Sequence, residues 1–291
     1  MNQRTLAIQI ITPCFSAGAD QLDAEIRAPA IRGQLRWWFR VLGGAAEEEK
    51  ALFGGIDGDA RASVLVTRVA DFKAAPQVKL PSRIGEQLYY LAHFAKERCL
   101  HDTACLAPDS SFSLRLSFRK PLPEPLMAKF ALALEAFERL GTVGYRSSRG
   151  FGAVANLNDI PDFDTFASWS RRLGGVLVTW AEDTEQKPVI ESDWRKSLAI
   201  LESLLRTLRK EPNQGAKSRT PLGCASPRQS SALKLRPVRL KEGFLPVVVY
   251  TEAAIDTKKF GSLRDHLEGH SFEHPYNVSP TNDYSLAHVT G

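Results

Sequence analysis

Between Arg27 and Arg40 the chain carries four arginines (Arg27, Arg32, Arg36, Arg40) and three aromatics (Trp37, Trp38, Phe39), and no acid occurs between Ile26 and Ala46. A guanidinium offers a planar fork of donors that matches a phosphate with two parallel bonds, and it also stacks on aromatic faces. From Ile31 the segment has helical spacing, because Ile31, Leu35, Trp38 or Phe39, and Leu42 recur as one apolar stripe. Arg32, Arg36 and Arg40 recur every four residues and line another face, a row about 12 Å long at 1.5 Å per residue. Solvated helix faces ordinarily interleave Glu with their cations for i,i+4 pairing. With no acid within a turn, this row and Trp37 suit a polyanion with π-faces, which is nucleic acid. Arg27, Arg32, Arg36, Trp37 and Arg40 are the candidate contacts.

A second group lies in Gly141–Gly152, GTVGYRSSRGFG. Glycines let a backbone turn its N–H groups toward an anion and approach it closely. Gly144, Gly150 and Gly152 would form such a cradle, with Arg146 and Arg149 supplying charge, Ser147 and Ser148 hydroxyl donors, and Phe151 a ring. No Gly-Lys-Ser/Thr follows, and the loop feeds a strand, so it is neither a Walker loop nor a dinucleotide-binding fingerprint. The plainer reading is a glycine-rich turn between a helix and a strand.

Hydrolytic chemistry has little to build on. Metal-dependent cleavage wants clustered carboxylates. Asp57, Asp59 and Glu47–Glu49 read as a turn and a solvated helix end, and Asp20 sits in a small-residue loop. Metal-free RNA cleavage usually needs a histidine near the scissile phosphate. His93, His101, His266, His270, His274 and His288 all lie outside both cationic motifs. His266 and His270 have the i,i+4 spacing of a zinc face, but Gly269 and Pro275 weaken that helix. No metal or other cofactor is expected.

Composition agrees with an acidic partner: 291 residues carry a net charge of +5, and from Arg206 to Lys241 ten Lys or Arg accompany a single acid, Glu211. Cys14, Cys99, Cys105 and Cys224 show no CxxC spacing, which speaks against a zinc ribbon and a disulfide framework. With no signal segment and no apolar run of membrane-spanning length, the expected location is the cytoplasm, away from any membrane.

Element patterns show how these residues are positioned. Strands are predicted at Thr5–Thr12, Ala62–Val69, Ser111–Phe118 and Ala153–Leu157, and helices over the arginine segment, Ala45–Phe53, Gly85–Leu100 and Glu124–Leu140. That is a βαββαβ order with insertions. A second unit begins near Pro161, with a strand at Gly175–Trp180, a helix at Ser192–Lys210, a loop at Glu211–Ser231, a hairpin of Leu233–Leu240 and Phe244–Tyr250, and a helix at Lys258–Glu268. The polar tail from His270 is expected to be loosely held. The fold class is α+β, two ferredoxin-like (RRM-like) domains over residues 1–160 and 161–291.

The glycine segment resembles the glycine-rich loop of the RAMP superfamily of CRISPR proteins. The run Ile11–Asp20 followed by Glu25–Arg40 is similar to the first RAMP subunit of type III-B (Cmr) effector complexes, where a Thr-Pro-hydrophobic-Phe loop precedes a Pro-x-Ile-Arg/Lys-Gly-x-Leu-Arg helix. Cys224–Arg228 with Leu233–Leu235 resembles that family's Ala-Ser-Pro segment and adds Arg228 to the RNA-facing candidates. The resemblance implies a non-catalytic RNA-binding subunit at the head end of the complex, near the crRNA 3′ end. Its implied partners are crRNA, target single-stranded RNA, the backbone subunit and a neighbouring head-end RAMP subunit, in antiviral defence. The alternative is a repeat-processing endoribonuclease of the same superfamily, whose catalytic histidine commonly lies on the first helix, where this chain has arginines and tryptophans.

Overall fold

Alternating Leu6, Ile8 and Ile10 are buried along strand β1 (Gln3–Ile10), and Phe112, Leu114 and Leu116 along β5 (Ser111–Phe118). One face of each strand therefore enters a core and the other stays polar. In the computed structural model these two strands pair antiparallel, Leu6 opposite Leu114, at the centre of a four-stranded sheet. Its edges are β3 (Leu65–Lys73) and β6 (Val154–Asn156), giving the order β3-β5-β1-β6. Residues 3–18, 23–56, 60–78, 87–96, 105–210, 222–223, 230–251, 272–273 and 283–286 are described.

Helices α1 (Ala28–Val41) and α4 (Glu124–Leu140) pack on this sheet and on each other. α4 buries Leu126, Phe130, Ala133, Leu134, Phe137 and Leu140, an i, i+4, i+7, i+8 stripe wide enough to face sheet and helix together. The short helix α2 (Ala46–Phe53) closes one end of the core, where Phe39, Phe53, Phe130 and Phe118 form a chain of tilted and edge-on rings 5.5–6.5 Å apart. A two-stranded ribbon joins β2 (Cys14–Phe15) to β4 (Cys105–Leu106). The order β1-α1-β3-β5-α4-β6 with this strand arrangement is the ferredoxin-like βαββαβ fold.

The second sheet repeats the arrangement. β7 (Leu177–Glu182), helix α6 (Trp194–Lys210), β8 (Leu233–Arg239) and β9 (Phe244–Tyr250) are joined by β10 (Phe272–Glu273) and β11 (Asp283–Leu286) in the order β10-β11-β7-β9-β8. The helix expected at Lys258–Glu268, which would complete this βαββαβ order, lies outside the described residues. The tail is not merely loose polar chain: Ser285 and Leu286 pair with Glu182 and Ala181. Helix α5 (Phe163–Ser170) contributes Phe166 and Trp169, and Phe163 meets Trp180 edge-on at 5.4 Å. Helix α3 (Tyr89–Lys96) is capped from afar: the buried Glu202 carboxylate accepts the N–H groups of Leu88 and Tyr90, each at 2.9 Å. Two orphan amides of a helix start are thereby satisfied by a residue of α6.

By contact, the chain groups into two compact units, one of Met1–Lys79, Ala95–Ser147 and Phe151–Ile160, the other of Leu80–Phe94, Ser148–Gly150 and Pro161–Gly291. Among the described residues no helix is long and apolar enough to cross a membrane.

Candidate nucleic-acid interface

α1 begins at Ala28 with Pro29 in its first turn, where the missing N–H costs nothing, and Arg27 stands just before it in extended backbone. Ile31, Leu35, Trp38 and Phe39 are buried, Trp38 and Phe39 to 1% exposure. The helix therefore has one orientation, and Arg36, Trp37 and Arg40 are turned off the core face. Trp37 is half-buried and meets Trp38 edge-on at 4.7 Å. Arg27 is exposed and pairs with Glu25 at 3.1 Å.

The arginine row is not free of acids. Glu49, on α2, reaches the row from below: Arg36 Nε and Arg40 Nε both donate to its carboxylate, and Arg40 Nη2 donates to Glu49 Oε1 at 2.6 Å. Glu49 is 6% exposed and was expected among solvated acids. It shares α2's buried side with Leu52 and Phe53, three and four residues on. That i, i+3, i+4 spacing was the signal available in the sequence. Hydrogen bonding from Arg40, then from Arg36, holds the Glu49 carboxyl below its ordinary range against the opposing effect of burial.

Arg32 differs from the other two. Its Nη2 donates to the Phe53 carbonyl, the final residue of α2, and burial lowers its pKa. This arginine closes the C-terminal end of α2, where carbonyls lack helical partners. In contrast, the Nη groups of Arg36, and Nη1 of Arg40, make no hydrogen bond among the described residues, and the side chains are 38% and 56% exposed. What reaches solvent is a pair of guanidinium edges with their Nε edges tied back.

The glycine-rich segment divides into a structural rim and a tip. Gly144 has φ +88, and a Cβ there would lie 2.6 Å from the Phe15 carbonyl oxygen. At Gly152, with φ +67, a Cβ would run into the Val143 carbonyl. The rim amides serve the fold: Val143 N–H donates to Gly152 O at 2.8 Å, Tyr145 N–H to Phe15 O at 2.7 Å, and Gly152 N–H to Pro13 O at 2.9 Å. Phe151, expected at the interface, is 1% exposed and packs at 5.1 Å against Phe15, the rings tilted by 54°. Its ring is core, because the turn carries it inward with Gly152. Gly150 is also buried, at φ +83, where a Cβ would strike Leu198 of α6. The shape of the rim is thus set by contacts within the fold. The tip, Arg146 to Arg149, is half-exposed, with Arg146 itself in the left-handed region at φ +61. Ser148 O accepts from Leu235 N–H at 3.1 Å, and Arg149 donates to Leu222 O at 2.9 Å. Arg209 donates to the same carbonyl at 2.8 Å.

Arg228 lies outside the described residues, as do Asp20, Asp57, Asp59 and every histidine except His93. Among the described residues no three His, Cys, Asp or Glu side chains group as a metal site; Cys14 and Cys105 are buried thiols, Cys14 Sγ donating to Val143 O at 3.3 Å.

Residues 7–155 match the model of the RAMP superfamily. The chain belongs to the RAMP superfamily. Two relatives from Pyrococcus furiosus are similar in sequence: the CRISPR system Cmr subunit Cmr1-1, 29% identical over 140 residues, 45% of this chain, and the CRISPR system Cmr subunit Cmr1-2, 32% identical over 73 residues, 22% of this chain. The matches span 40% and 39% of those relatives' lengths. The fold is shared with the apo crystal structure of Cmr1 from Pyrococcus furiosus, at 18% identity, TM-score 0.60, and coverage of 86% of this chain and 88% of that one. It is also shared with a chain of the type III-B Cmr-beta complex bound to cognate target RNA, at 12% identity, TM-score 0.55, and coverage of 86% and 94%.

Proposed function

We propose that this RAMP protein is a non-catalytic RNA-binding subunit of a cytoplasmic type III-B (Cmr) CRISPR complex, at its head end near the crRNA 3′ end. There it helps hold guide and target RNA beside the backbone subunit and a neighbouring RAMP subunit. One observation carries the RNA-binding part: Arg36 and Arg40 present outward guanidinium edges on a rigid helix, with Trp37 beside them. Such edges hold phosphates, and a half-exposed indole offers a face to a base. Arg27 extends the surface past the helix start, and Arg146 with Ser147 and Ser148 at the half-exposed tip is a second cationic contact, whereas the Arg149 guanidinium is turned to the Leu222 carbonyl. The relatives named Cmr subunits, and the fold shared with a chain of an RNA-bound Cmr complex, support the assignment to that assembly.

The test is titration of the full chain with a labelled single-stranded RNA at several salt concentrations. Nonspecific affinity near 10⁻⁴–10⁻⁶ M, falling steeply with salt, is expected at roughly physiological ionic strength. Replacing Arg36 and Arg40 by Ala should reduce the salt slope by about 1.4, at about 0.7 per phosphate contact. An unchanged slope would overturn the reading. Prolonged incubation with and without Mg²⁺ should leave the RNA intact. Site-specific cleavage abolished by a substitution at Asp20 or a histidine would establish the endoribonuclease instead.

A further inference from the structure

The buried carboxylate beneath the arginine row has a consequence that charge counting would get backwards. An acid in contact with an RNA-binding arginine ordinarily weakens binding, since it cancels positive charge. Here one carboxylate takes three donors from two arginines and takes them from one side: Nε of Arg36, and Nε and Nη2 of Arg40. The Nε edge of each guanidinium is fixed inward, so the remaining Nη groups face solvent. A free arginine side chain loses up to roughly 2 kcal/mol of rotamer entropy when it is immobilised on a ligand. Two arginines already held by Glu49 have lost much of that freedom on folding. Glu49 is itself immobile, being buried with Leu52 and Phe53 on a helix whose far end is tied to α1 through Arg32 and Phe53 O.

We infer that Glu49 is a positioning residue for RNA binding, setting Arg36 and Arg40 so that their outer edges engage consecutive phosphates of a single strand. The inference rests on the RNA-binding reading given above. The depressed Glu49 pKa keeps the carboxylate charged throughout the neutral range, so the clamp is permanent and not a pH switch. Among the described residues no other acid forms an ion pair with either arginine.

The experiment compares Glu49→Gln, Glu49→Asp and the double variant Arg36→Ala/Arg40→Ala in the full chain, each titrated with a labelled oligouridine at three or more salt concentrations. Thermal unfolding is recorded in parallel. Glu49→Gln raises the net charge by one, so plain electrostatics demands tighter binding. Positioning demands the reverse: affinity lower by about tenfold, the worth of one charge-assisted hydrogen bond, and a smaller salt slope. Glu49→Asp keeps the charge but withdraws the carboxylate by one methylene. It should also weaken binding, and it decides the matter if Glu49→Gln fails to fold. Folded Glu49 variants that bind as well as the parent, or more tightly, overturn the inference while a weakened arginine double variant leaves the RNA reading standing. A double variant that binds like the parent overturns both.

Discussion

Phe151 separates what the chain's pattern suggests from what its fold enforces. In the sequence it sits in a glycine- and arginine-rich loop and reads as a stacking surface. In the structure its ring is 1% exposed, 5.1 Å from Phe15. Truncating such a ring removes both its transfer energy and the packing around it, about 3–5 kcal/mol. Against total stabilities of roughly 5–15 kcal/mol, Phe151→Ala should leave a protein close to unfolding. The more useful change is Phe151→Leu, which keeps most of the volume and should cost about 1.5 kcal/mol or less. With a urea m-value of roughly 2–3 kcal/mol/M, the Leu variant shifts the unfolding midpoint by at most about 0.5–0.75 M and the Ala variant by at least about 1 M. Urea unfolding followed by tryptophan fluorescence measures both. RNA titration of Phe151→Leu then decides the ring's role. A core ring predicts parental affinity once the protein is folded. A tenfold loss of affinity with the small stability change intact would mean that the ring touches RNA, and the placement argued here would be wrong.

The two adjacent tryptophans should divide by role. Trp38→Ala should destabilise by about 3–5 kcal/mol, whereas Trp37→Ala should weaken oligouridine binding by about 1–3 kcal/mol, the range for one base stack, with a smaller change in melting temperature. Gly33 lies in the middle of α1, exposed, and a Cβ there would meet nothing within 4 Å. Gly33→Ala should therefore raise stability by about 1 kcal/mol through helix propensity alone; a lower unfolding midpoint would refute this. Asp162 caps α5, and hydrogen bonds from the Thr165 side chain, the Thr165 N–H and then Lys241 bring its pKa down to about 2. Because the folded value lies below the unfolded one, its stabilisation is complete above about pH 4 and is lost as pH falls toward 2. Asp162→Asn should flatten acid unfolding in that window and leave the profile above pH 5 unchanged in shape.

Period and punctuation carried the helices and strands. β5 and α4 begin and end where alternation and the Gly141 stop place them, and the buried stripe of α1 follows from its own spacing. These features are local, so a single sequence displays them. The tail strands were hidden because β11 pairs with β7, a hundred residues earlier, and β10, which pairs with β11, is a two-residue strand with no period to read. Glu202 was hidden for a related reason: nothing near α6 reveals that its carboxylate caps a helix more than a hundred residues away.

The search for acids around the arginine row missed Glu49 for a more instructive reason. Searching for counterions within one turn assumes that a helix answers its own charges. α1 receives its acid from α2, and what α2 advertises is an apolar face of Leu52 and Phe53 with a glutamate at the matching position. A carboxylate on the apolar side of a short helix is expensive to bury alone and must be met by cations from whatever packs there. The preceding helix offers only arginines, so the pairing follows once the two helices are placed face to face. The same logic splits the row. Arg32, nearest the end of α2, is drawn to a backbone carbonyl, while Arg36 and Arg40 share the carboxylate and keep their outer edges in water. An acid-free cationic stretch beside a short helix with one glutamate in its hydrophobic register is thus a pattern in which folding fixes the cations: the buried charge holds them from one edge and leaves their outer edges in water.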